Sequence, residues 1–437
     1  MNNFKNFIRN DLQFYIFLLV AFFMPLTKEY LPYLMFLWVI SGVVTIRKCD
    51  LHFSNFQWFL VLIPAVFYVA HVVGMLYTTD FQNGLFDLEM KLSLLFAPLV
   101  MVFLTDKVKQ NINLVIKAFI LGNLIALAIC LLRALDHSFI TNEMGQLVFE
   151  PSYWNLEQDL TFFQLIMKRY SHFSYGFLSF IHHPSYFAMY VLFAASLIIF
   201  LYSKYQHKKS IRALMVLSLL LIFLTLMIWL LGSRAGYLAF IALFLALSLF
   251  FMIKTRKFLV SFGVITTGFI LMIVFMSPQL KKNLQEVIHQ VENKQELTSD
   301  SDIRLWLWKS GIEVFQENYI CGVGTGDIKH EMKDKYHQYN LSIAEEKSYN
   351  LHNQYLESAL KLGVFGLLIL SFWLVSTLIY AITTKNFLLF FFMLIVSVHF
   401  MFESMLNSIA GVSFFMFFYS LLIGLSLQPR KEKINDR

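Results

Sequence analysis

Leu351-His352-Asn353-Gln354-Tyr355-Leu356-Glu357 opens an apolar run that continues through Gly363-Val364-Phe365-Gly366 to about residue 382. Upstream lie Asp302-Ile303-Arg304-Leu305-Trp306-Leu307-Trp308 and the turn Cys321-Gly322-Val323-Gly324-Thr325-Gly326-Asp327. The rest of the chain is apolar enough to lie in a bilayer. A long polar excursion ending in His-Asn at the mouth of a new hydrophobic run therefore needs a reason, and we read it as half of an active site.

The 437 residues are 58% hydrophobic and 14% charged, with a mean hydropathy of +0.63. That balance describes a polytopic membrane protein with a single integral membrane domain over 1–437. Phe, at 48 residues, suits lipid-facing helices. The net charge of +7 sits in short basic clusters between hydrophobic runs, where it marks topology, so no nucleic-acid partner is expected. Cys49, Cys130 and Cys321 show neither metal-ligand spacing nor a plausible disulfide pair. The first apolar run, about 15–26, lacks a small-residue cleavage site and reads as a retained span.

A spanning helix needs roughly 20 mostly apolar residues, which gives about twelve candidates. They lie near 12–27, 30–46, 56–77, 91–105, 112–134, 184–203, 212–231, 236–254, 257–277, 353–382, 386–402 and 409–427. The fold class expected is all-α, a polytopic transmembrane bundle with a large external loop between spans 9 and 10. The basic clusters, from Lys5 and Arg9 to Arg430 through Lys433, then fall on one side, the cytoplasmic one, with both termini inside. The other face receives 78–90, 135–183, the turn at 232–236, the loop 278–352 and 403–408. In that loop a polar helical run is expected over 278–296. Ile303, Trp306, Leu307 and Ser310 then fit an amphipathic helix on the membrane surface.

Arg234, in Gly232-Ser233-Arg234-Ala235-Gly236, breaks the charge pattern. It is either a functional anion contact or an anchor reaching the head groups. Arg304 is a second basic candidate, or a partner of Asp302 or Asp300; two guanidiniums at one face would clamp a diphosphate with planar, bidentate donors. The 322–326 turn lacks the Lys-Ser/Thr of a P-loop and reads as a tight turn that brings backbone close to substrate. His352 is the candidate for proton transfer, with Asn353, Tyr355 and Glu357 on a polar first turn that orients the ring. Lys91, beside Asp87 and Glu89, contacts phosphate or anchors its helix. His183-Pro184-Ser185-Tyr186 lines an acceptor cleft or caps a helix, and Glu403 is placed to hold a basic partner.

The order of Gly232-Ser233-Arg234-Ala235-Gly236, Arg304 with Trp306, Gly322-Val323-Gly324 and His352 to Glu357 running into Gly363–Gly366 resembles the O-antigen ligase and polymerase family of polytopic glycosyltransferases. The likeness is strongest over about 184–375. It implies a GT-C-like bundle in the bacterial inner membrane, with a periplasmic active site to which 278–352 contributes. The implied donor is an undecaprenyl-diphosphate-linked glycan, and the implied acceptor is lipid A-core for a ligase or another glycan for a polymerase. Carried over by motif, Arg234 and Arg304 would bind the diphosphate and His352 would activate the acceptor hydroxyl, with inversion at the anomeric carbon. Lys91, His183, Tyr186, Asn353, Tyr355 and Glu403 are the further substrate-contact candidates. No cofactor and no metal are expected, since no His/Cys cluster of ligand type marks the external face, where the one Asp-x-Asp is Asp300-Ser301-Asp302.

A protein O-glycan ligase would share this donor chemistry. A transporter or flippase is the rival from another class, but it calls for repeats and midplane polar helices. Here the polar candidates gather at one face.

Overall fold

The structure, a computed structural model, describes residues 11–46, 53–153, 160–204, 210–255 and 300–427. Eleven of the twelve apolar runs lie within them, and each is a helix. They are α1 (Leu12–Phe23), α2 (Leu31–Val44), α3 (Asn55–Gly74), α4 (Phe81–Val102), α5 (Ile112–Ser138), α6 (Pro184–Lys204), α7 (Ile211–Leu231), α8 (Arg234–Thr255), α11 (Gln354–Thr383), α12 (Phe387–Phe400) and α13 (Ile409–Ser426). Between α8 and α11 come α9 (Asp300–Glu317) and α10 (Ile328–Gln338). The expected ninth span at 257–277 and the polar run at 278–296 lie outside the described residues.

By length and composition, α3, α5, α6, α7, α11 and α13 suffice to cross a membrane, and α1, α2, α12 and the first part of α8 are shorter apolar helices. The protein is a helical membrane protein. Two element ends differ from expectation. The fourth helix starts at Phe81, where Asp80 caps Asn83 N–H at 3.1 Å, so Lys91 lies two to three turns inside it. The connection after α7 is only Gly232-Ser233, and Arg234 is the first residue of α8.

The all-α expectation needs one correction. Phe139–Thr141 (β1) and Leu147–Phe149 (β2) pair as an antiparallel hairpin. Its turn is built by Asn142, whose carboxamide oxygen accepts from Met144 N and Gln146 N, and by Gly145 at φ 74°. This is local turn chemistry that competes well with helix in an Asn/Gly segment.

Helices in a bilayer associate through packing rather than exclusion from water, and here Phe supplies much of that packing. Phe119, Phe193, Phe392, Phe414 and Phe418 are all buried and meet ring to ring at 4.7–6.1 Å. The abundance of Phe thus serves the bundle centre as well as its rim. At that centre runs α13, buried from Ala410 to Gly424. Tyr190 on α6 donates to its Ala410 carbonyl (2.7 Å), and its own Tyr419 donates to the Leu60 carbonyl of α3 (2.8 Å).

The loop between α8 and α11 has its own core. Ile303, Leu307 and Val314 of α9 pack with Ile328, Met332 and Tyr336 of α10 and with Leu351 and Leu360. The amphipathic spacing of α9 is real, but its buried face meets α10 and α11 rather than lipid.

The glycine-rich turn fastens this loop to the bundle. Inside α11, Gly363 adopts φ 64°, ψ −156°, which breaks the helix and frees the carbonyls of Leu360 and Lys361. Those carbonyls accept from Val323 N (2.8 Å) and Gly324 N (3.1 Å), while Val364 N donates to the Tyr319 carbonyl (2.8 Å). Thr325 Oγ1 donates to the His71 carbonyl at 2.6 Å, and Asp327 accepts from Thr79 N (2.8 Å) and Asp80 N (2.6 Å). Glycine is required where the backbones meet: a Cβ on Gly363 would strike the Ile320 carbonyl, in a φ that disfavours any side chain. Gly363→Ala is expected to cost more than about 2 kcal/mol, read as a lower melting temperature in detergent.

Candidate functional site

Glu403 is the hub. It sits in the turn that follows α12, its backbone N–H bonded to the His399 carbonyl at 2.9 Å, and is 3% exposed. A buried carboxylate has to be paired, and three side chains do so. Arg304 Nη2 donates to Oε1 at 3.2 Å, Ser185 Oγ donates to the same oxygen at 2.9 Å, and His352 Nδ1 meets Oε2 at 3.0 Å. Burial pushes the Glu403 carboxyl up, but His352, Arg304 and His183 outweigh it and hold it down at about 2. Burial pushes the neighbouring His183 imidazole down.

Each partner is placed by a local cause. Arg304 rises from the first turns of α9 and also donates to the Phe402 carbonyl at 3.1 Å, so the arginine and the acid share one turn. One turn along α9, Trp308 Nε1 donates to the Leu351 carbonyl at 2.8 Å and fixes the strand that delivers His352. His352 itself has φ 47°, its N–H bonded to Asn350 Oδ1 at 3.0 Å. Asn353 then caps α11, accepting from Leu356 N at 3.0 Å. A non-glycine residue held at positive φ costs roughly 1–3 kcal/mol and persists only where the surroundings impose it.

An ionised carboxylate only accepts, so Nδ1 of a neutral His352 must donate to it. The lone pair then sits on Nε2, and the side chain is 24% exposed. This is the tautomer of a general base.

Beside the hub lies a cleft lined by Arg169, Arg234, Arg304, Tyr175, Ser185 and Ser233. Gly232, at φ 60°, ends α7 in the left-handed conformation, and two residues later Arg234 opens α8. Ser233 Oγ donates to Ser185 Oγ at 3.1 Å, which links this turn to Glu403. Arg169 comes in from the 160–183 segment, donates from Nη2 to the Gly232 carbonyl at 2.7 Å, and lies over the Tyr175 ring at 4.3 Å. Three guanidiniums therefore line one cleft, with Glu403 bonded to Arg304 at its edge, an excess of positive charge reinforced by the amino-terminal end of α8. Arg169 carries no motif that singles it out in the sequence.

Arg234, Arg304, His352, His183 and Glu403, far apart in the chain, thus gather at one end of the bundle. Tyr186 stands beside His183, ring centroids 5.8 Å apart. Tyr355 turns away, its hydroxyl bonded to the Ser397 carbonyl at 3.1 Å. Lys91 is elsewhere: fully buried, it bonds Asp87 at 2.5 Å and Asn407 at 2.9 Å. The cause is the helical spacing of Asp87 and Lys91, four residues apart on one face of α4. Its ammonium is occupied by protein partners rather than held open to a phosphate.

Residues 219–371 match the family model described as O-Antigen ligase. The match takes in Arg234, Arg304 and His352, and it supports assigning the chain to the O-antigen ligase and polymerase family. The apolar helices fit the membrane setting of that family. No curated protein sequence matches the chain. Ser185 and Glu403 lie outside the matched segment, so half of the hub comes from flanking helices.

Proposed function

We propose that the protein transfers a glycan from undecaprenyl diphosphate to a sugar hydroxyl of lipid A-core, at the periplasmic face of the bacterial inner membrane, without a metal ion and with inversion. The observation that carries this reading is the contact of His352 and Arg304 with one buried carboxylate, at the edge of a cleft that Arg234 also lines. His352 Nε2 takes the acceptor hydroxyl proton as the oxygen attacks the anomeric carbon. The bond from that carbon to the diphosphate oxygen breaks, and the diphosphate leaves with the electron pair. Arg234, Arg304 and Arg169 stabilise the developing charge through bidentate donors that remain protonated at any working pH. Nothing in this chemistry depends on which glycan carries the hydroxyl, so a polymerase using the same donor is the second reading.

The test is transfer by purified protein, with chelator present, of an undecaprenyl-diphosphate glycan offered lipid A-core in one reaction and only more donor in another. Product on lipid A-core supports a ligase, and lengthened donor glycan makes it a polymerase. Transfer to neither, or transfer that stops when chelator is added, counts against the proposal. Arg234→Ala and Arg169→Ala are each expected to raise the donor KM. A lost charge-assisted hydrogen bond is worth about 1.5–3 kcal/mol, or roughly ten- to a hundredfold in affinity. An unchanged donor KM in both would remove the diphosphate from this cleft.

A further inference from the structure

A second cavity, of about 220 Å³, lies beside the same hub and shares no lining residue with the arginine cleft. Its floor is made by Asp87 of α4, Glu357 and Lys361 of α11, and Asn407; Tyr336 and Tyr349 stand on its wall. The floor is tightly connected. Lys361 bonds Asp87 at 2.7 Å and Asn407 at 3.0 Å, and Asn407 donates to Glu357 at 2.6 Å. Lys91 bonds the same Asp87 carboxylate at 2.5 Å and Asn407 at 2.9 Å.

The two cavities differ in charge. The arginine cleft is strongly positive, whereas in the second the lining Lys329, Lys333 and Lys361 are offset by Asp87, Glu345 and Glu357, with one further positive charge from the buried Lys91 on Asp87. Two of these lysines pair in space, Lys361 3.7 Å from Glu357 and Lys333 4.0 Å from Glu345, and Lys329 bonds Asn83 at 3.4 Å. What remains for a ligand is a polar, neutral surface of amides, carboxylate oxygens and tyrosine faces. Its volume is sufficient for a small polar ligand such as one sugar ring.

The cavity reaches the hub through Tyr349 and Asn350. The Tyr349 ring lies 6.2 Å from the His352 ring, and Asn350 Oδ1 accepts the His352 N–H. On the cleft side, Glu403 touches Ser185 and Arg304. His352 and Glu403 therefore stand between the two spaces.

We propose that this cavity binds an uncharged pyranose ring of the acceptor glycan, with a hydroxyl turned toward His352. The word acceptor rests on the transfer reading above; the sugar site does not. Ring hydroxyls bond Asn83 and Asn407, and a tyrosine face covers the apolar side of the ring.

Direct binding tests the site without any donor. Methyl glucoside and methyl galactoside serve as neutral probes and methyl glucuronoside as the charged one, observed by saturation-transfer NMR on the full chain in detergent. The neutral probes are expected to bind. Met90→Trp, which fills the cavity from α4, should weaken them about tenfold or more, and Asn83→Ala should weaken them less, both at unchanged melting temperature. Arg234→Ala, in the other cleft, should retain them. Absence of neutral-probe binding to the unmodified protein, equal binding in folded Met90→Trp and Asn83→Ala, or preference for the glucuronoside would each overturn the proposal. Glycoside binding that Met90→Trp abolishes, in a protein that transfers nothing from the diphosphate donor, would keep the sugar site and reject the transfer reading.

Discussion

His352→Asn is expected to lower kcat for glycan transfer by on the order of 10²–10⁴, the usual contribution of a positioned general base, with the donor KM nearly unchanged. Asn is the better test than Ala because the residue sits at φ 47°, a conformation Asn tolerates and Ala does not. With the backbone preference kept and the Asn350 and Trp308 contacts intact, a lost rate reports proton transfer rather than a displaced strand. Initial rates of the purified variant, with its melting temperature measured alongside, decide the matter. A folded His352→Asn protein turning over within a factor of a few of the parent would remove His352 from the chemistry.

Glu403→Gln should cost a similar factor, for a different reason. Its carboxamide oxygen can still accept from Ser185 and Arg304, but its NH₂ can donate to Nδ1 of His352. That contact moves the imidazole proton to Nε2, where a base needs its lone pair. The double variant with His352→Asn should be scarcely slower than either single one, since the pair acts as a unit; fully multiplicative losses would mean that Glu403 acts independently of the histidine. Glu403→Ala goes further and leaves Arg304 and His352 without their carboxylate. Removing one member of a buried pair costs about 3–5 kcal/mol. Partial exposure of Arg304 and His352, at 19% and 24%, reduces that to roughly 1–3 here.

Because the Glu403 carboxyl is held near 2 against an ordinary value of 4.5, its stabilisation is complete above about pH 4.5 and is lost as pH falls toward 2. Between pH 5 and 8 it stays ionised. An acid limb in the rate over that range must then come from another group.

The sequence makes some of this site legible and hides the rest for physical reasons. Arg234 stands out because a guanidinium interrupts an apolar stretch, and His352 because it closes a polar loop at a helix start. Glu403 and Glu357 are indistinguishable by position, both being acids near helix ends. Folding separates them, since Glu357 bonds Asn407 and Ser404 while Glu403 receives His352. Arg169 has no comparable signal, lying between Lys168 and Tyr170 in an aromatic segment without clear periodicity. Its place depends on that segment folding back onto the end of α7, a contact across 63 residues that local pattern cannot encode. Lys91 shows the opposite error: a charge at an apparent helix start becomes a buried i,i+4 ion pair once the helix begins ten residues earlier. The helices themselves are easier to read, because apolar runs of this length leave the backbone few other ways to satisfy its polar groups.

The clasp at Gly322–Asp327 also bears on how such a protein can diversify. One end of the 328–350 segment is sewn to α3 and α11 by the glycine turn, and the other is held by Trp308 and by the Asn353 cap. Both anchors lie outside the segment, so its exposed residues behave as an exchangeable cassette, while Ile328, Met332 and Tyr336 stay packed on α9. The segment carries Lys333, Tyr336 and Tyr349 of the neutral cavity, whereas the arginines, His352 and Glu403 all lie outside it. Sequence drift at its exposed positions can therefore alter which sugar is received, provided Asn350, which holds the His352 N–H, is kept.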